Sequence, residues 1–364
     1  LPSVLKRSTY SRSLDRLSFD KAAGPDGIPN ALIRLLPPSY HDALHSLFII
    51  LYITGQTPST LKISDTVLFH KRNDPTHLTN KRPIGLHKSL YKLWTGFVTT
   101  IFTDFAEKHS ILSPSQEGFR RRKSSARHLQ LLVHCLEDAK EFNRDIIIVY
   151  YDFVNAFNTI NHLILFKIMA DLGYPSDAIA TIKGIYSDVL SEIILDTSRN
   201  LRTKPIRLGR GTIQGDRLSP LMFIIYIEPL LRWIKAGGRG YTPSPTLSSA
   251  AAPNEATQTA FVLADDLGNI TTCLSDAVIQ HDKVLKYCAW AGLTPNADKG
   301  AITGAYYSRT GLTEPDRNRI LKTDLTNAIR DLNGVAIPFL PPSVPYPYLG
   351  VRISVNLDFT AHLK

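Results

Sequence analysis

The stretch FVLADDLGNI, residues 261–270, sets Asp265 and Asp266 side by side at the end of an apolar run. Such a run reads as a buried strand, and a buried strand that ends in two like charges constrains the fold more than any other feature of the chain. Adjacent carboxylates in a low-dielectric setting repel, so at least one has its pKa raised unless cations neutralise the pair. Successive residues of a regular strand face opposite sides. Both side chains therefore reach one place only if the chain turns there. TAFVLADDLGNITTCL (259–274) is expected to form strand, tight turn and strand, with both Asp residues at the turn and Gly268 easing it.

DIIIVYYDF (145–153) is a second run of β-branched and aromatic residues, again the profile of a buried strand, and Asp152 stands at its C-terminal end. If the two strands lie side by side, Asp152, Asp265 and Asp266 meet. Hard Mg²⁺ prefers oxygen ligands of this kind. Two such ions about 4 Å apart activate an attacking oxygen and stabilise a leaving phosphate oxygen, which is phosphoryl-transfer chemistry. Taken singly, Asp152 could simply cap the helix that follows, and Asp265 with Asp266 could form a solvated turn.

Elsewhere helical and strand patterns alternate, which makes the chain α+β. NAFNTINHLILFKIMADLG (155–173) has helical spacing and ends at Gly173, a C-cap candidate. LSPLMFIIYIEPLLRWIKAGG (218–238) opens with Ser219 as N-cap candidate and Pro220 at the first helical position, and Pro229 is expected to kink it. AGGRGYTPSPTLSSAAAPNEATQ (236–258) offers little to bury and reads as a flexible insertion within a domain. The formal charge of +10 over 364 residues fits a polyanionic partner, nucleic acid first. Cys135, Cys273 and Cys288 form no CxxC pair, so neither a disulfide framework nor a zinc site is expected. The longest apolar stretch, LFIILYI (47–53), is far short of the roughly 20 residues a membrane span needs. No signal peptide is visible, which leaves a nuclear or cytoplasmic, non-secreted protein as the expectation.

The order of the segments adds a resemblance. KAAGPDGIPNALIRLLP (21–37), HKRNDPTHLTNKRPIGL (70–86), SQEGFRRRKSSARHL (115–129), YDFVNAFNTINH (151–162), GTIQGDRLSPLMF (211–223), LADD (263–266), AGLTPNADKG (291–300) and YLGVRI (348–353) follow one another along the chain. Together they resemble the reverse transcriptase domain of non-LTR (LINE-like) retrotransposons over nearly the whole length. The resemblance implies a right-hand polymerase with fingers and an antiparallel palm sheet. It divides the chain into fingers and palm-entry segments (1–145), a palm (146–345), and a primer-grip-like hairpin that starts a truncated thumb (346–364). The thumb is expected to be largely absent, and the parent polyprotein's endonuclease region to lie outside the chain.

The implied activity is RNA-directed DNA polymerisation, with an RNA template, a DNA primer and deoxynucleoside triphosphates as partners and no membrane. Two Mg²⁺ ions, with Mn²⁺ as an alternative, would be held by Asp152 and Asp265 with Asp266 in support. Lys71, Arg82, Phe157, Gln214, Gly215 and Lys299 would form the nucleotide-binding set. Phe157 would sit beneath the sugar and leave no room for a 2′ hydroxyl. Gln214 and Gly215 would lie against the templating pair, Lys71 and Arg82 on the triphosphate, and Lys299 near the leaving pyrophosphate. Arg120, Arg121, Arg122, Lys123, Tyr348, Leu349 and Gly350 would contact template and primer. Leu263 stands where the family usually has an aromatic residue. Three rival readings share these motifs: a decayed RNA-binding relative, an RNA-dependent RNA polymerase, and an intron-maturase type. Phe157, and Ala264 in place of Gly, weigh against the RNA polymerase. GPDGIP and SQEGFRRRKSS lean towards the LINE-like group.

Overall fold

Every residue of the strand Ile146–Tyr151 is buried, which is what a run of three isoleucines, a valine and two tyrosines demands. The computed structural model describes residues 5–71, 74–196, 201–212, 214–244 and 257–358; of the insertion expected at 236–258, residues 245–256 lie outside the described residues. The chain forms two compact units from interleaved segments, Leu1–Ile111 with Phe157–Tyr226, and Leu112–Ala156 with Ile227–Lys364.

In the second unit Ile146–Tyr151 is an inner strand of a fully antiparallel sheet ordered 260–263, 266–271, 146–151, 301–305. One face receives helix Ser125–Glu141, whose Leu132, Cys135, Leu136 and Ala139 pack with Ile146, Ile148, Tyr150 and Ile270. Ser124 caps this helix by accepting from the amide of Arg127. On helix Leu274–Ala291, His281 Nδ1 lies 2.9 Å from the Tyr151 hydroxyl, and the two rings stack. Each large apolar side chain buried here contributes about 1.5–3 kcal/mol. A strand with so much burial can carry an acidic residue at its end without losing its place.

The first unit packs helices Arg7–Asp15, Pro38–Thr54 and Ser89–Lys108 around Tyr10, Phe48, Trp94 and Phe97. Trp94 Nε1 donates to Thr57 Oγ1 at 3.1 Å, so its one polar atom is satisfied in the core. Strands Ile63–His70 and Lys81–His87 pair antiparallel, and residues 63–66 pair parallel with 190–193. The α+β class expected from the pattern is the observed one, with a mixed sheet in this unit and an antiparallel one in the other.

Two local expectations, at 155–173 and at Gly268, differ from the structure. Residues 155–173 form two helices, Ala156–Thr159 and His162–Asp171, because the Asn161 side chain accepts from the amides of Leu163 and Ile164 and starts a new helix. Pro229 lies inside helix Ser219–Lys235. Proline has no N–H to give the carbonyl four residues earlier, at Ile225. Gly268 lies inside strand Asp266–Thr271, opposite Tyr150, and does not make the turn.

His87 is 1% exposed, and neither ring nitrogen has a hydrogen-bond partner among the described residues. Burial, helped by the charge of Lys92, lowers its pKa from 6.5 to about 3. The folded state therefore keeps this imidazole neutral where the unfolded chain protonates it, and stability is lost as pH falls below 6.5. His87→Phe is expected to gain about 2 kcal/mol more stability at pH 5 than at pH 8 relative to the parent. Urea denaturation at the two pH values measures this difference, and an equal effect at both would show that the ring titrates normally.

Candidate active site

Strand Asp266–Thr271 pairs antiparallel with Ile146–Tyr151, Leu267 lying opposite Tyr151. Extending that register by one residue sets Asp152 opposite Asp266, on the sheet face of Tyr150 and Gly268. On the other side Leu263 pairs with Asp266, so Ala264 and Asp265 alone form the turn of the hairpin. Ala264 takes a φ of +58°. A left-handed conformation costs a non-glycine residue roughly 1–2 kcal/mol, so the turn must be held from outside.

The charges act on one another as this placement requires. Burial is the largest influence on Asp266, followed by the negative charges of Asp265 and Asp152; together they raise its carboxyl to about 6, against the opposing pull of Lys299. Like charges crowd this end of the sheet, and among the described residues Lys299 is a cation set against them. Lys299 Nζ lies 2.6 Å from Asp152 Oδ2, with both side chains partly exposed. The Asn296 side-chain amide donates to the same oxygen at 3.2 Å, and its backbone amide donates to the Asp152 carbonyl at 2.7 Å. The loop 294–300 is thus fastened along 152–154, with Val154 N donating to Thr294 O. Tyr346 stacks on Tyr150 at 4.2 Å and donates to the Lys299 carbonyl, and Asp152 and Asp266 add to the burial that pushes its phenol up to about 12.

Among the described residues no group of three or more His, Cys, Asp and Glu side chains is gathered into a ready-made metal cage. The donor set nonetheless suits a hard divalent cation. It is made of carboxylates, one with its pKa raised by burial and by its like-charged neighbours, and the charge balancing Asp152 is a lysine at the rim.

The other expected residues fall into two groups. In the first unit Lys71 and Arg82 are exposed at the 63–87 hairpin, and the Gln214 carbonyl accepts from Gly85 N at 2.7 Å on the same hairpin. Gly215 has φ +108°, and a Cβ there would meet the Gly85 carbonyl oxygen at 2.8 Å, so glycine is required for this approach. Phe157 lies against Phe223, ring centroids 5.0 Å apart, and its carbonyl accepts from Thr212 N at 2.8 Å.

In the second unit the basic run divides. Arg121 and Arg122 are exposed, whereas Arg120 donates to the carbonyls of Ser113 and Gln116 at 2.7 and 3.1 Å. Lys123 pairs with the buried Glu117 at 2.7 Å. Tyr348 is buried, within 2.8 Å of His128 Nε2 and donating to the Phe261 carbonyl at 3.2 Å. Leu349 and Gly350 form the turn beyond it, both with positive φ, as a two-residue hairpin turn of the primed type requires.

Residues that sequence reasoning passed over hold the site together. Gln116, fully buried, accepts through Oε1 from the amides of Gly118 at 2.8 Å and Ala264 at 2.9 Å. Its Nε2 donates to the Ala264 carbonyl at 3.4 Å. Glu228, also buried, accepts from Ser113 N at 2.8 Å and pairs with Arg232 at 3.0 Å; burial raises its carboxyl to about 7. Nothing in the segment SQEGF marks the glutamine as a partner of a turn so far along the chain.

A family model described as reverse transcriptase (RNA-dependent DNA polymerase) matches residues 69–353. The Pol polyprotein of the type-2 retrotransposable element R2DM of Drosophila melanogaster is 24% identical over 289 residues, 79% of this chain and 25% of its own length. A probable RNA-directed DNA polymerase from transposon BS of the same organism is 25% identical over 362 residues, 97% of this chain and 36% of its own. The Pol polyprotein of the retrotransposable element R2 of Bradysia coprophila is 24% identical over 62% of this chain and 24% of its own length. The chain thus spans about a quarter to a third of these relatives.

Proposed function

The chain belongs to the reverse transcriptase (RNA-dependent DNA polymerase) family, of the kind carried by non-LTR retrotransposons, and we propose that it is the domain that extends a DNA primer on an RNA template. The observation that supports this reading is the pairing of Tyr151 with Leu267, which, extended by one residue, brings Asp152 to Asp266 beside the Asp265 turn. Two Mg²⁺ ions held by Asp152 and Asp265, with Asp266 in support, would supply the Lewis acidity for transfer of a nucleotidyl group to the primer 3′ hydroxyl.

The chain's own residues do the rest. Asn296 holds Asp152 through both its side chain and its backbone. Lys299 offers an ammonium group that can leave Asp152 for the pyrophosphate as negative charge develops there. Arg82 and Lys71 suit the triphosphate by charge, Phe157 the sugar by bulk, and Gln214 with Gly215 the templating pair by close backbone approach. The turn at Leu349–Gly350 and the exposed Arg121 and Arg122 are assigned to primer and template.

Primer extension on RNA with Mg²⁺, comparing deoxy- and ribonucleotides, tests the reading. Extension with deoxynucleotides supports it. Extension with ribonucleotides alone would favour the RNA polymerase, and RNA binding without extension the decayed relative. Contacts from the basic run to phosphate predict a further result. Arg122→Ala should lower the slope of log K against log salt for RNA binding by roughly 0.7–0.9, without changing the preference among sequences. A titration at several salt concentrations measures the slope, and an unchanged one would remove Arg122 from the interface.

A further inference from the structure

We propose that Gln116 is the positioning residue of the site, fixing the direction in which Asp265 and Asp266 are presented; this rests on the polymerase reading for its kinetic consequence but not for its structural one. Ala264 sits at φ +58°, a conformation that alanine does not hold unaided. The Gln116 side chain engages both polar groups of that residue, accepting from its N–H at 2.9 Å and donating to its C=O at 3.4 Å. A rotation of the Ala264 backbone would swing Asp265 out of the hairpin, and it would have to break the first of these bonds.

The clamp is built as a unit. Glu117 N donates to Val262 O at 2.9 Å and Val262 N to Ser115 O at 3.2 Å, a short parallel bridge that seats residue 116 beside the hairpin. Gly118 lies so close that a Cβ on it would meet Ala264 N at 2.4 Å, so only glycine lets the loop approach. Its own amide fills the second lone-pair direction of Gln116 Oε1. Arg120, donating to the carbonyls of Ser113 and Gln116, ties the loop from behind, and Glu228 fixes its start through Ser113 N. The basic motif thus has an inward half that aims the acidic turn, distinct from the outward Arg121 and Arg122.

Two variants test the role, Gln116→Ala, which removes the clamp, and Gln116→Glu, whose side-chain oxygens can still accept from both amides. Hydrogen–deuterium exchange across residues 262–267 is read on the protein without metal or substrate. The Ala variant should exchange at Ala264 at least tenfold faster than the parent, with the inner strand 146–151 unchanged, and the Glu variant should remain protected. In primer extension the Ala variant should lose roughly 30-fold in kcat with KM for deoxynucleotide within twofold, since the defect lies in the aim of the turn. Unchanged exchange at Ala264 in Gln116→Ala overturns the proposal, as does equal loss of protection in both variants and in the inner strand, which would mean a general loosening. A parent chain that extends no primer would count against the polymerase reading alone, and the exchange result would still decide the clamp.

Discussion

Asp265→Asn is expected to lower Mg²⁺-dependent primer extension by at least roughly 10³-fold, which is about 4 kcal/mol of transition-state stabilisation. The change keeps the side chain's shape and removes its charge. Asparagine is at home in a two-residue turn, and Asp265 is half-buried, so no core volume is lost. Melting temperature should therefore stay within a few degrees of the parent. The electrostatics add a second signature. Asp265 is one of the charges that raise the Asp266 carboxyl to about 6, so its removal should let that group fall towards the ordinary carboxylate range. Activity lost with the fold retained is the signature of a missing metal ligand. Extension at the parent's rate would show that the hairpin is only a turn.

What was legible beforehand was whatever leaves a local or periodic trace. The run of isoleucines at 146–148 announces a strand because nothing polar interrupts it, and paired carboxylates after FVLA announce a turn because regular strands cannot aim both at one place. From there it was a short step to expecting Asp152 beside Asp266, and the observed register ends one residue short of that pair, at Tyr151 opposite Leu267. The pivot of the turn was not legible. Gly268 looked like the flexible residue, yet it is needed flat in the strand opposite Tyr150, and the left-handed φ falls on Ala264. The reason is external: the conformation is held by a side chain 148 residues away. A bond from Gln116 to a backbone amide leaves no trace in the partner's identity, because every residue but proline has that amide. Asn296 escaped notice for the same reason, since one of its two bonds to Asp152 is backbone to backbone. The break at Asn161 could have been found, because Asn before an apolar run is an N-cap signal that the longer helical period concealed.

Phe157→Val is expected to reduce the preference for deoxynucleotides over ribonucleotides by roughly 10²-fold, the scale on which a pocket of fixed shape discriminates one small group. The backbone around Phe157 does not depend on its ring. Its carbonyl takes the amide of Thr212 at 2.8 Å and the Thr212 hydroxyl at 3.4 Å, and both bonds survive the substitution. What is lost is the contact with Phe223, at 5.0 Å between centroids, and about 0.5–1.5 kcal/mol with it. The two readings of this aromatic therefore separate in kinetics. If Phe157 bounds the sugar, kcat/KM for a ribonucleotide rises while that for the matching deoxynucleotide changes little. If the ring only packs against Phe223, both values fall together with the melting temperature and their ratio holds. Steady-state extension with dCTP and CTP opposite the same template base distinguishes these outcomes, because only the first requires the side chain to touch the substrate.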